Sequence, residues 1–272
     1  MRKLLKYSIL AKQKFIYSLY GFISTCVCQK FFVILHCFLK KEVKMAANEI
    51  RTKWIAIASF YVISVATRAL ALKYEDLDAS PIVVWLWNWA RGIGPCLGAL
   101  VAVLTFKREF HCTITGTSIW KSVLTVAIPF FVCFFFDRGL SFTLLGFIFY
   151  SFLEEVGWRG YLQGELKEMK TIWRVLVIGL MWFFWHITIG FNLGSLIFLA
   201  ILLLGTWGIG CIARDTKSLV ACACFHTLWN FSSQSSLSFT PTVIALYVAV
   251  IAAWFAIWYL PWGRIFPFCQ QN

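Results

Sequence analysis

Between residues 54 and 260 the sequence breaks into eight apolar stretches, at 54–72, 82–105, 120–136, 140–163, 172–190, 194–212, 218–232 and 242–260. Most come close to the ~20 residues a helix needs to cross the hydrocarbon of a bilayer, and only 218–232 is short. The linkers between them are brief and carry the charges, as in Lys73–Ser80 and Asp215–Lys217. Such a chain is expected to fold as an all-α, polytopic transmembrane helix bundle of about eight spans. With 60% hydrophobic and only 14% charged residues, it lacks the polar faces that a soluble helical core would need. There is no internal repeat, which argues against a transporter. The ten cysteines lie mostly inside apolar runs, none in a CxxC pair, and read as small buried hydrophobes.

The basic residues order the linkers. Fourteen Lys and Arg fall in 40–53, 106–121, 164–174, 213–217 and the tail, against two in 73–81, 137–139, 191–193 and 233–241. Cytoplasmic loops hold the basic excess. The first set, and with it the C-terminus, is therefore expected in the cytoplasm, in the plasma membrane if the source is bacterial. Residues 1–44 carry nine Lys and Arg and one acid, and their apolar part, 15–39, is broken by Lys30 and His36. A crossing there would put residues 1–14 and linker 40–53 on opposite sides, against the charge bias. Residues 1–44 are accordingly expected to be an extension outside the functional protein, with Met45 as an alternative start. Residues 45–272 form the membrane domain. The expected partner is the lipid bilayer, and nothing suggests a nucleic-acid surface.

Polar residues stand out against this background. The stretch Ser151–Tyr161 places Glu154, Glu155 and Arg159 inside an apolar run, where each isolated charge costs roughly 2.5–3.5 kcal/mol. On a helix Glu155 and Arg159 share a face in the favourable acid-first order, leaving Glu154 unpaired about 100° away. Two further insertions follow, Trp182-Phe-Phe-Trp-His186 and His226-Thr-Leu-Trp-Asn230. Four-residue spacing lets the two ends of each converge from one rigid helix, as a preorganised constellation requires. Taken alone, either histidine reads as a satisfied core residue. Together the three insertions point to a functional polar centre. His36 and His111 read as structural, and Arg91 and Asp137 as structural partners or interface residues. Small residues in Gly94-Pro-Cys-Leu-Gly98 and around Gly205, Gly208 and Gly210 predict close helix contacts.

The order E-E-x-x-x-R, then an aromatic four residues before His, then H-x-x-x-N resembles the CPBP family of intramembrane proteases. That family includes the type 2 CAAX prenyl proteases, lysostaphin-resistance-like proteins and bacteriocin self-immunity proteins. The resemblance spans roughly residues 82–232, with Trp182 where the family often has Phe. It implies an intramembrane endopeptidase acting on a peptide or lipidated protein, in CAAX-type processing of prenylated proteins or a related bacterial role. Glu154 and His186 would activate water, His226 and Asn230 would stabilise the oxyanion, and Glu155, Arg159 and Trp182 would support them. The resemblance leaves the cofactor open: zinc held by Glu154, His186 and His226, or no metal and a glutamate-type mechanism. A non-proteolytic immunity or scaffolding protein that keeps the fold is the alternative. No HExxH, no pair of membrane Asp residues and no serine-protease elbow competes with this set.

Overall fold

The computed structural model describes residues 26–73, 81–187, 190, 192–234 and 240–260, with side chains from 48 onward except at 81–88, 232–234 and 242. The chain divides into two units, Met1–Thr52 and Lys53–Asn272. The expectations for residues 1–25 and for the tail fall outside the described residues.

The described residues form eight helical segments. They are α1 Cys26–Lys73, α2 Pro81–Phe106, α3 Ile119–Phe136, and α4 Arg138–Glu155, which runs through a π-turn, Val156–Leu162, into α5 Gln163–Glu165. Then come α6 Thr171–Trp185, α7 Leu193–Thr216, α8 Leu219–Gln234 and α9 Pro241–Tyr259. Helices satisfy every backbone polar group within the segment, which the hydrocarbon of a bilayer demands. Among the described residues, five stretches are long and apolar enough to cross a membrane: Asn48–Lys73, Trp89–Phe106, Ile119–Phe136, Arg138–Glu165 and Leu193–Thr216. Three shorter apolar helices accompany them, Thr171–Trp185, Leu219–Phe231 and Val243–Tyr259. Apolar side chains such as Leu104, Trp120 and Phe135 are 78%, 77% and 84% exposed, an arrangement suited to lipid rather than water. The protein is an integral membrane helix bundle.

Two sequence boundaries shift. No break separates 40–53 from the first span, because α1 is helical throughout. The fifth segment ends at Trp185 rather than 190. The helix starts follow capping chemistry. Asp137 accepts from the backbone N–H of Gly139 at 2.7 Å, opening α4. Asn192 accepts from Ser195 N–H at 2.9 Å and Thr240 from Val243 N–H at 3.3 Å, opening α7 and α9. Asp137 is thus a helix cap.

Helix α4 is the centre of the bundle, packed most extensively on α8 and also against α2 and α3. Close approach rests on small residues. A Cβ on Gly98 would collide with the Phe60 carbonyl oxygen, and one on Gly157 would lie 2.5 Å from Pro95. Gly94 and Gly98 therefore bring α1 onto α2, as expected. Gly210 meets the Gln163 side chain, whereas nothing lies within 4 Å of a Cβ on Gly208. Gly208 lines a cavity instead of a helix contact.

The linker after α2 also shapes the bundle. It runs beside the α7–α8 connection, with Thr113 N–H donating to Lys217 O and Leu219 N–H to Thr113 O, both at 2.9 Å. Arg108 clamps it with a bidentate pair to Glu165, at 3.1 and 2.8 Å. Cys112, in the same linker, is buried, and burial pushes its thiol up to about 11. That fits a small hydrophobe rather than a nucleophile.

Candidate active site

The charged stretch ends α4 in a wide turn. Val156–Leu162 is π-helical and buried along its whole length, a local irregularity that recurs at functional sites. Despite the altered winding, Arg159 Nη1 donates to Glu155 Oε1 at 3.2 Å, with both side chains fully buried. The predicted pair is present. The Arg159 guanidinium also lies 4.8 Å from the Trp182 ring centroid and donates to Gly205 O at 3.4 Å.

Glu155 has a second partner. His226 Nδ1 lies 2.9 Å from the same Oε1. A carboxylate accepts, so Nδ1–H donates and Nε2 is the nitrogen left for other chemistry. Glu155 therefore ties the π-turn to α8 and fixes the His226 ring. Ser151, one turn before Glu155, does similar work: its Oγ accepts from Thr227 Oγ1 at 3.1 Å and from Asn230 Nδ2 at 3.2 Å.

Glu154 points elsewhere. It is 1% exposed, and its Oε2 accepts from Trp182 Nε1 at 2.9 Å. A Phe at position 182 could not make that bond. His186 Nδ1 lies 2.8 Å from the Trp182 carbonyl oxygen. A carbonyl only accepts, so Nδ1 carries the proton and Nε2 presents a lone pair. His186 is the cap of α6 rather than an interior residue as the spacing suggested. Ile187 follows in the left-handed region at φ 64°, a strained conformation for a β-branched residue and one that clusters at functional sites. The turn stops α6 and holds the imidazole at its end.

Glu154, Trp182, His186, His226 and Asn230 all line one cavity of about 650 Å³. The four residues expected to be catalytic are thus brought together, although they come from three separate helical segments. The rest of the wall is mostly apolar, including Phe198, Leu202, Ile209 and Phe225. Glu155 and Arg159 do not line it; they stand behind His226 and Trp182.

Sequence reasoning passed over Arg68 and Tyr150, which also line the cavity. Arg68 was detectable as an isolated charge in the apolar stretch 54–72. Tyr150 lies one turn before Glu154, and its hydroxyl interacts with both Glu154 and Arg68. His111 packs against the π-turn and the residues after it: its backbone N–H donates to Gly160 O at 2.7 Å, and its ring occupies the space a Cβ on Gly164 would need.

Among the described residues, no three His, Cys, Asp or Glu side chains are grouped so as to hold a metal ion. Glu154, His186 and His226 share the cavity without surrounding one point, and both histidines commit Nδ1 to the protein.

Fold and site together define an integral membrane helix bundle that encloses a carboxylate and two oriented imidazoles in one cavity. Residues 136–232 match the Rce1-like family, described as type II CAAX prenyl endopeptidase Rce1-like. This is the resemblance the three motifs carry, and the matched segment holds all seven residues they single out. No curated protein matches the chain.

Proposed function

We propose that this protein is an intramembrane endopeptidase that hydrolyses a peptide bond of a CAAX-type, prenylated substrate. The carrying observation is the convergence of Glu154, His186, His226 and Asn230 on one cavity. In this reading Glu154 and the lone pair of His186 Nε2 take the proton of a water as it attacks the scissile carbonyl. Trp182 N–H holds the carboxylate in place. Asn230 Nδ2, and His226 Nε2 when it carries a proton, face the negative charge that develops on the carbonyl oxygen. The mostly apolar wall excludes water from the rest of the site, which strengthens each of these interactions.

The positive-inside bias supports a cytoplasmic C-terminus and linkers 106–121 and 164–174 on the same side. Whether zinc takes part is decided by metal analysis of the purified protein together with cleavage in chelator. The decisive experiment is Glu154→Gln, assayed on a farnesylated peptide after reconstitution. The variant inserts and melts close to wild type but releases no tripeptide. Full activity in a folded Glu154→Gln protein would refute the assignment.

A further inference from the structure

Among the described residues, two arginines packed against the core have carboxylate partners. Arg159 pairs with Glu155 and Arg108 with Glu165. Arg68 differs. It is 8% exposed, and among the described residues no carboxylate forms an ion pair with it. Its guanidinium stacks 4.8 Å from the Trp185 ring centroid, Nη1 donates to the Arg91 carbonyl oxygen at 3.4 Å, and Nε has no hydrogen-bond partner. A buried cation without an anion is costly at membrane depth. Yet this one lines the same cavity as Glu154 and His186.

We propose that Arg68 is an anion subsite of the cavity that binds the free C-terminal carboxylate of the peptide substrate. The inference rests on the endopeptidase reading for the identity of that ligand, since a CAAX sequence lies at a protein's C-terminus. A guanidinium matches a carboxylate in a bidentate, charge-assisted geometry that an ammonium cannot copy. Arg68 and Glu154 belong to the same stretch of wall. The Tyr150 hydroxyl interacts with both of them, and all three line the cavity. An extended tripeptide spans at most ~10 Å, so a bond cut three residues from the end can sit at Glu154 while the terminal carboxylate meets Arg68. The apolar part of the cavity wall, including Phe198, Leu202 and Ile209, accommodates aliphatic side chains. Arg68 thereby sets where the chain is cut, measuring from the C-terminus.

The test is a binding measurement, independent of turnover. Dansylated S-farnesyl-Cys-Val-Ile-Ala is prepared as the free acid and as the C-terminal amide. Each is titrated by fluorescence polarisation against the full chain in phosphatidylcholine nanodiscs, in the Glu154→Gln background so that the peptide stays intact. The acid binds about tenfold tighter than the amide, or more. Arg68→Gln brings that ratio to near one while leaving amide affinity unchanged, and Arg68→Lys retains part of the preference. A merely structural role for Arg68 would weaken both ligands alike. Equal or undetectable binding of acid and amide with Arg68 in place overturns the proposal, as does an acid preference that survives in Arg68→Gln. An acid preference without cleavage by the wild-type protein leaves the carboxylate subsite standing and removes the endopeptidase reading instead.

Discussion

Replacing Glu155 by Gln tests the buried charge cluster behind the cavity. The substitution keeps volume and one acceptor oxygen but removes the anion that faces Arg159 at 3.2 Å and His226 at 2.9 Å. At that separation and an effective dielectric of ~20, the Glu155–Arg159 attraction alone is about 5 kcal/mol. Stranding one member of a buried pair typically costs roughly 3–5 kcal/mol. Arg159 keeps only neutral partners, the amide oxygen of the substituted side chain, the Gly205 carbonyl and the Trp182 ring. A loss of that size lowers the melting temperature of a domain this large by roughly 6–20 °C. The neighbouring Glu154→Gln is the control. Its amide oxygen still accepts from Trp182 N–H, so the cost is about 1 kcal/mol and a few degrees. Thermal unfolding in detergent, followed by intrinsic tryptophan fluorescence, reads both. Adding Arg159→Met to Glu155→Gln removes the orphaned cation and recovers a large part of the loss. If Glu155→Gln and Glu154→Gln melt within the same few degrees, or if Arg159→Met recovers nothing, the cluster does not hold the π-turn to α8.

Trp182→Phe keeps an aromatic ring on the same face but deletes the 2.9 Å donor to Glu154; losing a hydrogen bond to a charged group, about 1.5–3 kcal/mol, lowers turnover at least about tenfold, and an unchanged kcat in the peptide assay would show that the indole does not position the base. His111 gives the membrane-flanking linker a pH dependence. Burial, and then the nearby Lys167, hold its pKa below the usual histidine value, against the opposing pull of Glu165 and Glu109. The folded state thus binds this proton less readily than the unfolded one. The His111 contribution is fully present above about pH 6.5 and is lost as pH falls below it toward the lowered folded-state pKa. Melting temperature measured across pH 5–8 falls more steeply on the acid side in the wild type than in His111→Gln; parallel curves would rule out His111 as the titrating group.

The sequence by itself determined the class of the fold. Apolar stretches near membrane length dictate helices, because a single segment satisfies its own backbone in hydrocarbon only as a helix, and seven of the eight expected stretches begin within two residues of an observed helix start; the first lies inside the long α1. It also determined the Glu155–Arg159 pair, since a four-residue spacing is a local matter that survives even the widened winding of the π-turn. Rigid four-residue spacing likewise exposed His226 and Asn230 as partners. Only the tertiary structure decided what lies between helices. The Glu155–His226 contact joins residues 71 positions apart, and Trp182 reaches Glu154 across 28; no periodicity encodes such distances. It showed that His186 caps a helix instead of lying inside one, because Ile187 turns the chain. It also placed Arg68 in the same cavity wall as Glu154. A charge in an apolar run announces a cost in the sequence, but its partner is set by packing between helices, and that is where the chemistry of this protein is assembled.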